Sequence, residues 1–495
     1  MSSRMEANKL REDSMRVLML GWEFPPFISG GLGTACYGLT QAMSEIGVEI
    51  VFILPRPVTD EFSSHVKMAS PTTENLANCS KNDAEVIKEI FPAVGDGKAL
   101  VGCEYFQSTE FDNVSFLSVP SMMQPYQTED NYLEALKKNG YHTEVDQNGN
   151  IKVVNGKGEV IADLSAYIDS VQANDEIAAD EQSGGSQHYG RDLYQEVQRY
   201  SKIATVLARN EAFDVIHAHD WMTYPAGIAI AKMSGKPLVT HIHSTEFDRS
   251  GENVNQMVYD IERQGLHHAS RVIAVSRLTR DVVTSRYDID DEKVEVVYNA
   301  IEHKNAILQM SQPESIEIDE KVVLFLGRIT MQKGPEYFLQ AAKLVLSAVD
   351  NVKFVMAGSG DLARRTIEMA AEMGIGHKVL FTGFLRGDDV DKVFQMADLF
   401  VMPSVSEPFG LVPLEALRND VPVLISKQSG VAEVLTHALK VDFWDVHEMA
   451  NKILAVLKYP PLRETLREHG HYEMRKLSWT DAGNKCLDVY ESVLG

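Results

Sequence analysis

Short apolar, β-branched runs alternate along this chain with helix-length amphipathic segments. The first run covers residues 17–20, a helix-like segment 34–46 closed by Gly47 follows, and a second run covers 48–54. Two strands with a helix between them predict a βαβ unit, because parallel strands need a crossover connection. The pattern resumes at 215–218, 238–243, 272–275 and 294–297, with helical stretches between. A second series runs through 322–326, 352–357, 379–382, 399–402 and 421–425. The chain is therefore expected to be α/β, with two mostly parallel sheets.

Two interruptions set the expected boundaries. Residues 302–321 are polar and acidic, include Pro313, and suit a hinge between an N-terminal unit 1–305 and a C-terminal unit 306–480. Residues 56–200 break the first series and read as an insertion. Within it, two alternating runs flank Asn148-Gly149 as a hairpin would, while the acidic stretch 169–181 and the Ser183–Ser186 run lack any such pattern.

Composition narrows the function classes. Lysine plus arginine number 47 against 71 aspartate plus glutamate, a formal net charge of −24. Such a field repels nucleic acid and anionic membranes, so neither is an expected partner, and any anionic ligand needs a local cationic pocket. Four cysteines without a CxxC pair, together with no leader-like or membrane-spanning apolar run, predict a cytoplasmic chain.

Several motifs carry chemistry. Gly30-Gly31-Leu32-Gly33 lies at a strand-to-helix turn, where bare amides can meet a phosphate, although glycines there also serve close packing. Arg328 and Lys333 sit just past the strand 322–326 and before Pro335, so two cations crowd one helix N-terminus. That clustering is unfavourable unless an anion, such as a diphosphate, neutralises it. Glu407 falls on the loop after the strand 399–402 and Glu415 on the helix that follows. A helix beginning near Phe409 or Gly410 would let one ligand touch both carboxylates and the amides of Gly410, Leu411 and Val412. His217 and His219 end one strand, and His241 and His243 the next. Period-two alternation sends each pair to one face, as core hydrogen-bonders or, at His219, a substrate contact; a metal set would carry a further carboxylate or Cys at fixed spacing, which the sequence does not show. The Asp288-Ile289-Asp290 triplet sits in a polar turn and reads as surface acid.

Taken in order, Gly30-Gly31-Leu32, His217 to Trp221, Gly327-Arg328 with Lys333-Gly334, Gly358-Ser359-Gly360 and the Glu407 to Glu415 element resemble the retaining nucleotide-sugar glycosyltransferases of GT-B architecture. The bacterial glycogen and starch synthases and their relatives are the nearest likeness. The resemblance implies two Rossmann-like domains facing a cleft and a C-terminal helix, 481–495, crossing back to the first. It implies that Arg328 and Lys333 bind the donor diphosphate, Glu407 the transferred hexose, Glu415 the ribose, and Thr382, Phe384 and Leu385 the base. His219 is implied to lie near the sugar's primary hydroxyl. The reaction implied moves a hexose, glucose first, from ADP- or UDP-glucose to a glucan or other sugar acceptor with retention, without metal or cofactor; a homo-oligomer is left open.

One departure shifts the acceptor. The synthases carry a lysine two residues before the paired glycines, where this chain has Ile28. That raises relatives acting on other sugars or on lipid-linked glycans. A rival from another class is a catalytically retired GT-B module that only binds nucleotide or glycan. An oxidoreductase ranks third, because the GxGxxG fingerprint is missing.

Overall fold

The computed structural model describes residues 15–24, 31–55, 66–69, 105–108, 114–118, 142–145, 151–154, 160–163, 191–302 and 320–495. Gly30 and Ile28, most of the interdomain linker, and the acidic and serine-glycine stretches of the insertion lie outside the described residues.

Strands β1 (Arg16–Leu20) and β2 (Glu49–Leu54) flank helix α1 (Gly31–Glu45) in sequence and pair in parallel. Val17, Leu18, Met19 and Leu20 are all fully buried, as expected of a strand covered on both faces. The first sheet continues through β9 (Val215–His219), β10 (Leu238–Ile242), β11 (Arg271–Ala274) and β12 (Val294–Val296), all parallel. On the far side of β2, β5 (Val114–Ser118) adds another parallel strand; β4 (Tyr105–Ser108) and β3 (Val66–Ala69) then pair antiparallel, giving nine strands. The sequence between 56 and 200 thus contributes three strands to this sheet that its weak patterning does not announce. The hairpin around Asn148-Gly149 is present as β6 (His142–Val145) and β7 (Ile151–Val154), joined by β8 (Val160–Asp163) in a separate antiparallel sheet.

The second sheet has six parallel strands in the order β15-β14-β13-β16-β17-β18: β13 (Lys321–Leu326), β14 (Val352–Ala357), β15 (Val379–Gly383), β16 (Leu399–Met402), β17 (Val423–Ser426) and β18 (Leu439–Val441). Helix α2 (Arg191–Ala208) and helices α3 to α6 (Tyr224–Ser234, Glu246–Ser250, Gln256–His268, Arg277–Tyr287) belong to the first unit. Helices α7 to α12 (Pro335–Leu346, Ala363–Glu372, Asp388–Gln395, Val412–Arg418, Val446–Lys458, Pro460–Met474) belong to the second.

The last helix, α13 (Trp479–Leu494), returns to the first unit. Its Trp479, Cys486, Val489 and Tyr490 share a core with Val17, Leu39, Met43 and Phe52. Among the described residues no helix is long and apolar enough to cross a membrane.

Strand order reverses between β1 and β9 in the first sheet and between β13 and β16 in the second, each time between two parallel neighbours. In open α/β sheets the crevice at the carboxyl ends of such a pair is where ligands bind. The candidate residues collect at these two points.

Candidate functional site

The second sheet supplies charge. β13 and β16 are neighbours, so the loops leaving their carboxyl ends lie side by side. Arg328 follows β13 and contacts Gln332 across 3.5 Å, and Lys333 ends a short 3-10 turn, Met331–Lys333. Gly334 then turns the chain into α7 at φ 66°, and a Cβ there would stand 2.1 Å from the Pro403 carbonyl oxygen. Only glycine lets the Lys333 turn sit this close to the loop after β16.

That contact brings Lys333 Nζ onto Glu407 Oε2 in an ion pair whose side chains are 20% and 9% exposed. Ser404 Oγ also donates to Glu407 Oε2, at 3.3 Å. The Glu407 backbone is clamped: its amide donates to Gln428 O (2.9 Å) and its carbonyl accepts from Gly430 N (2.9 Å). The loop bearing Arg328 is braced by Gly358-Ser359-Gly360, since Ile329 N donates to Ser359 O at 2.8 Å.

Helix α10 begins at Val412, later than the sequence suggests, because Gly410 has φ 105° and Pro413 occupies the first turn. The Gly410 and Leu411 amides therefore precede the helix rather than forming its first turn. Glu415 still falls in that first turn, partly buried; burial pushes its carboxyl above the ordinary value, Arg418 opposing. Thr382 is the next-to-last residue of β15, Phe384 just beyond it stands 52% exposed with the Arg386 guanidinium 5.2 Å from its ring centre, and Leu385 is half-buried. The structure thus joins Lys333 to Glu407 directly and sets Arg328, Glu415 and the 382–385 segment around the same end of the sheet.

The first sheet supplies neutral hydrogen-bonding groups. His217 and His219 leave one face of β9, His241 leaves β10, and His243 follows it. Rings 217 and 219 stack at 4.2 Å, as do rings 241 and 243. Across the strands, His217 Nε2 meets His241 Nδ1 at 3.2 Å and His219 Nδ1 meets His243 Nε2 at 3.0 Å. Tyr490 of α13 closes the array, its hydroxyl 2.5 Å from His217 Nδ1. Burial, reinforced at three of the rings by neighbouring imidazoles, holds all four below the ordinary histidine value, His217 and His243 at about 3. The quartet is neutral at pH 7.

Gly31, Leu32 and Gly33 open α1 at the end of β1, and a Cβ on Gly31 would lie 3.7 Å from Leu411 of the second unit. The two switch points therefore face each other. Ser406 Oγ donates to Asp248 Oδ1 across 2.5 Å, and Glu433 receives the amides of Arg277 (3.0 Å) and Leu278 (2.8 Å) and the Tyr298 hydroxyl (2.8 Å).

Three features escape sequence reasoning. Asp220, at φ 61°, accepts from the amides of His243 (2.7 Å) and Ser244 (3.4 Å); burial lifts its carboxyl to about 7 against those hydrogen bonds. Arg249 is pinned in the interior between Glu246 and Glu262. Cys36 of α1 packs beside His219 and His243. The charges inside Ser244–Arg249 hinted at the second; nothing in the spacing of Cys36 points to the third. Asp288 and Asp290 act as turn residues, the first capping α6 in the left-handed region and the second capping the short turn after it.

Comparison with known proteins follows this geometry. Residues 308–472 match the family "Glycosyl transferases group 1", residues 182–305 "Glycosyltransferase Family 4" and residues 16–134 "Starch synthase catalytic domain". An uncharacterized glycosyltransferase of Methanocaldococcus jannaschii is 33% identical over 297 residues, which cover 57% of this chain and 76% of that relative. A D-inositol 3-phosphate glycosyltransferase of Salinispora tropica is 29% identical over 306 residues, 56% of this chain and 64% of its own length. Among solved structures, sucrose-phosphate synthase from Thermosynechococcus elongatus superposes with TM-score 0.61 at 15% identity, covering 97% of this chain and 98% of that one. Anabaena HepE in complex with UDP-glucose superposes with TM-score 0.57 at 15% identity, covering 97% and 100%. At these identities the structural likeness speaks for the fold alone.

Proposed function

We propose, from the premise that this chain belongs to the GT-B glycosyltransferases, that it transfers a hexose, glucose in the first instance, from ADP- or UDP-glucose to a glucan hydroxyl with retention of configuration. The observation that carries this reading is the Lys333–Glu407 pair at the β13/β16 switch point, with Arg328 on the same loop. In a chain of net charge −24, two cations at one sheet end are where an anionic donor can be held.

Arg328 and Lys333 would take the diphosphate, whose charge grows as the sugar bond breaks, so fixed cations there favour the transition state over the ground state. Glu407, oriented by Ser404 and Lys333, would receive hexose hydroxyls, and Glu415 the ribose. Phe384 offers an exposed ring for the base, with Thr382 and Leu385 beside it. The Gly410, Leu411 and Val412 amides and those of Gly31, Leu32 and Gly33 would approach the phosphates and sugar from both sides. His219, neutral and buried at the end of β9, would hydrogen-bond near the sugar's primary hydroxyl. The leaving phosphate would accept the acceptor's proton, with no resident metal or cofactor, and the protein would act in the cytoplasm.

The starch synthase match over 16–134 supports a glucan acceptor. A second reading, a small polyol phosphate acceptor, draws on the D-inositol 3-phosphate glycosyltransferases among the relatives. Thermal-shift titration with ADP-, UDP- and GDP-sugars, followed by transfer assays to a glucan and to inositol phosphates, decides between them. A donor at 100 times its Kd stabilises the fold by about 2.7 kcal/mol. Stabilisation by nucleotide without donor hydrolysis or transfer to any acceptor would leave a binding module and overturn the reading.

A further inference from the structure

The imidazole array does more than the transfer reading requires. His219 alone is given a substrate role, yet four histidines and a cysteine converge there. One donor atom each of Cys36, His219 and His243 lie within 4.8 Å of one another, and the same holds for His217, His219 and His241. The second trio is engaged: Tyr490, His217 and His241 form one hydrogen-bonded chain, fully buried. The first trio is nearer the surface, because His243 is only half-buried, and it contains the one sulfur.

His219 Nε2 and His243 Nδ1 are buried without a hydrogen-bond partner among the described residues, as is His241 Nε2. The first two are the other nitrogens of their rings, not the His219 Nδ1 and His243 Nε2 that face each other at 3.0 Å and that a cation would bridge. Burial pushes the Cys36 thiol up first, and the Asp220 and Glu23 carboxylates nearby add to that.

We propose that Cys36, His219 and His243 form a binding site for a soft or borderline divalent cation, zinc being the representative, and that the bound cation blocks sugar transfer by occupying His219. A thiolate and two neutral imidazoles are the donor set that zinc takes, with a fourth position open to water. The rearrangement is small. Tetrahedral bonds of about 2.0–2.1 Å to two nitrogens hold them roughly 3.3 Å apart. The His219 Nδ1 to His243 Nε2 separation is 3.0 Å, so the cation replaces that hydrogen bond with little movement of β9 or β10. Binding displaces the Cys36 proton to solvent, and no electron is transferred. The cation is an inhibitor, not a cofactor. The binding half of the proposal stands on geometry; the inhibition half rests on the transfer reading.

The test uses the full chain, stripped with a chelator and titrated with cobalt(II) and then zinc. The expected result is one tightly held equivalent by elemental analysis, cobalt bands of a tetrahedral thiolate site, a rise in Tm with zinc, and loss of transfer as the equivalent is filled. Cys36→Ser should keep basal transfer, lose the thiolate-to-cobalt band and weaken zinc binding at least ~100-fold, with its Tm no longer zinc-dependent. His243→Gln provides a second variant if Cys36→Ser fails to fold, and should weaken zinc likewise. Absence of a retained equivalent, or an unchanged thiolate band in Cys36→Ser, overturns the site. A filled site with undiminished transfer overturns the inhibition and removes His219 from the transfer reading, while the cation site stands.

Discussion

Replacing Lys333 by alanine separates the structural and chemical uses of one ammonium group. In the folded chain Lys333 neutralises Glu407, a carboxylate 9% exposed whose other side-chain partner is Ser404 at 3.3 Å. Removing the cation leaves that carboxylate unpaired. Breaking a buried pair costs about 3–5 kcal/mol, and with the lysine one-fifth exposed about 2–3 kcal/mol is the expected loss of stability. In the reaction the same cation faces charge growing on the diphosphate. At an effective dielectric of about 20, a unit charge about 4 Å away is worth about 4 kcal/mol, and losing one preorganised donor of this kind lowers turnover about 10²- to 10³-fold. The double variant Lys333→Ala/Glu407→Ala distinguishes the two uses. It removes the unpaired carboxylate, so chemical denaturation should show stability largely restored, while kcat stays at or below the single-variant level. If kcat in Lys333→Ala is unchanged, or if the double variant regains wild-type turnover, the lysine serves only to hold Glu407, and the diphosphate role fails.

Phe384→Ala should raise the donor KM about 5- to 150-fold with kcat little changed, because base stacking on an aromatic ring is worth about 1–3 kcal/mol; an unchanged KM places the base elsewhere. Tyr490→Phe removes the hydroxyl at His217 Nδ1 and should cost about 1–2 kcal/mol in urea unfolding, with the first unit losing more protection in amide exchange than the second. Acid should unfold the first unit early. His217 is held at about 3, chiefly by burial and then by His243, against about 6.5 unfolded, so the unfolded chain binds more protons between those values. Its contribution is therefore complete above pH 6.5 and falls by about 1.4 kcal/mol per unit as pH drops toward 3, which stability curves at several pH values will show or refute.

The two sheets were legible because their strands are buried on both faces and read as unbroken apolar runs, as in Val17–Leu20 and Leu399–Met402. The strand Val114–Ser118 was not, since only three of its five residues are apolar and no recognisable helix precedes it. Motif order brought Arg328, Lys333, Glu407 and Glu415 to one end of the second sheet. Sequence did not reveal that Lys333 pairs with Glu407, because that contact depends on the β13–β16 neighbourhood, a crossover of more than seventy residues that no local pattern encodes. Cys36 was invisible for the same reason, lying far in sequence from both histidines it approaches.

The division of charge between the two sheets follows from burial. The second sheet keeps its cations at a loop edge, with Lys333 one-fifth exposed and paired with Glu407. The first sheet buries its histidines between β9, β10 and α13, and burial removes their charge. Had His219 been exposed enough to protonate near neutrality, its imidazolium would compete with Arg328 and Lys333 for the diphosphate and draw the donor toward the wrong wall of the cleft. Neutral, it can hydrogen-bond a hydroxyl but cannot hold a phosphate as an ion. The same neutrality lets a soft cation take the place of its hydrogen bond to His243, so the property that makes His219 suited to a sugar also opens it to metal inhibition. His219→Lys tests this argument directly: it should shift affinity toward free nucleoside diphosphate and away from the sugar donor, and equal losses of both would refute it.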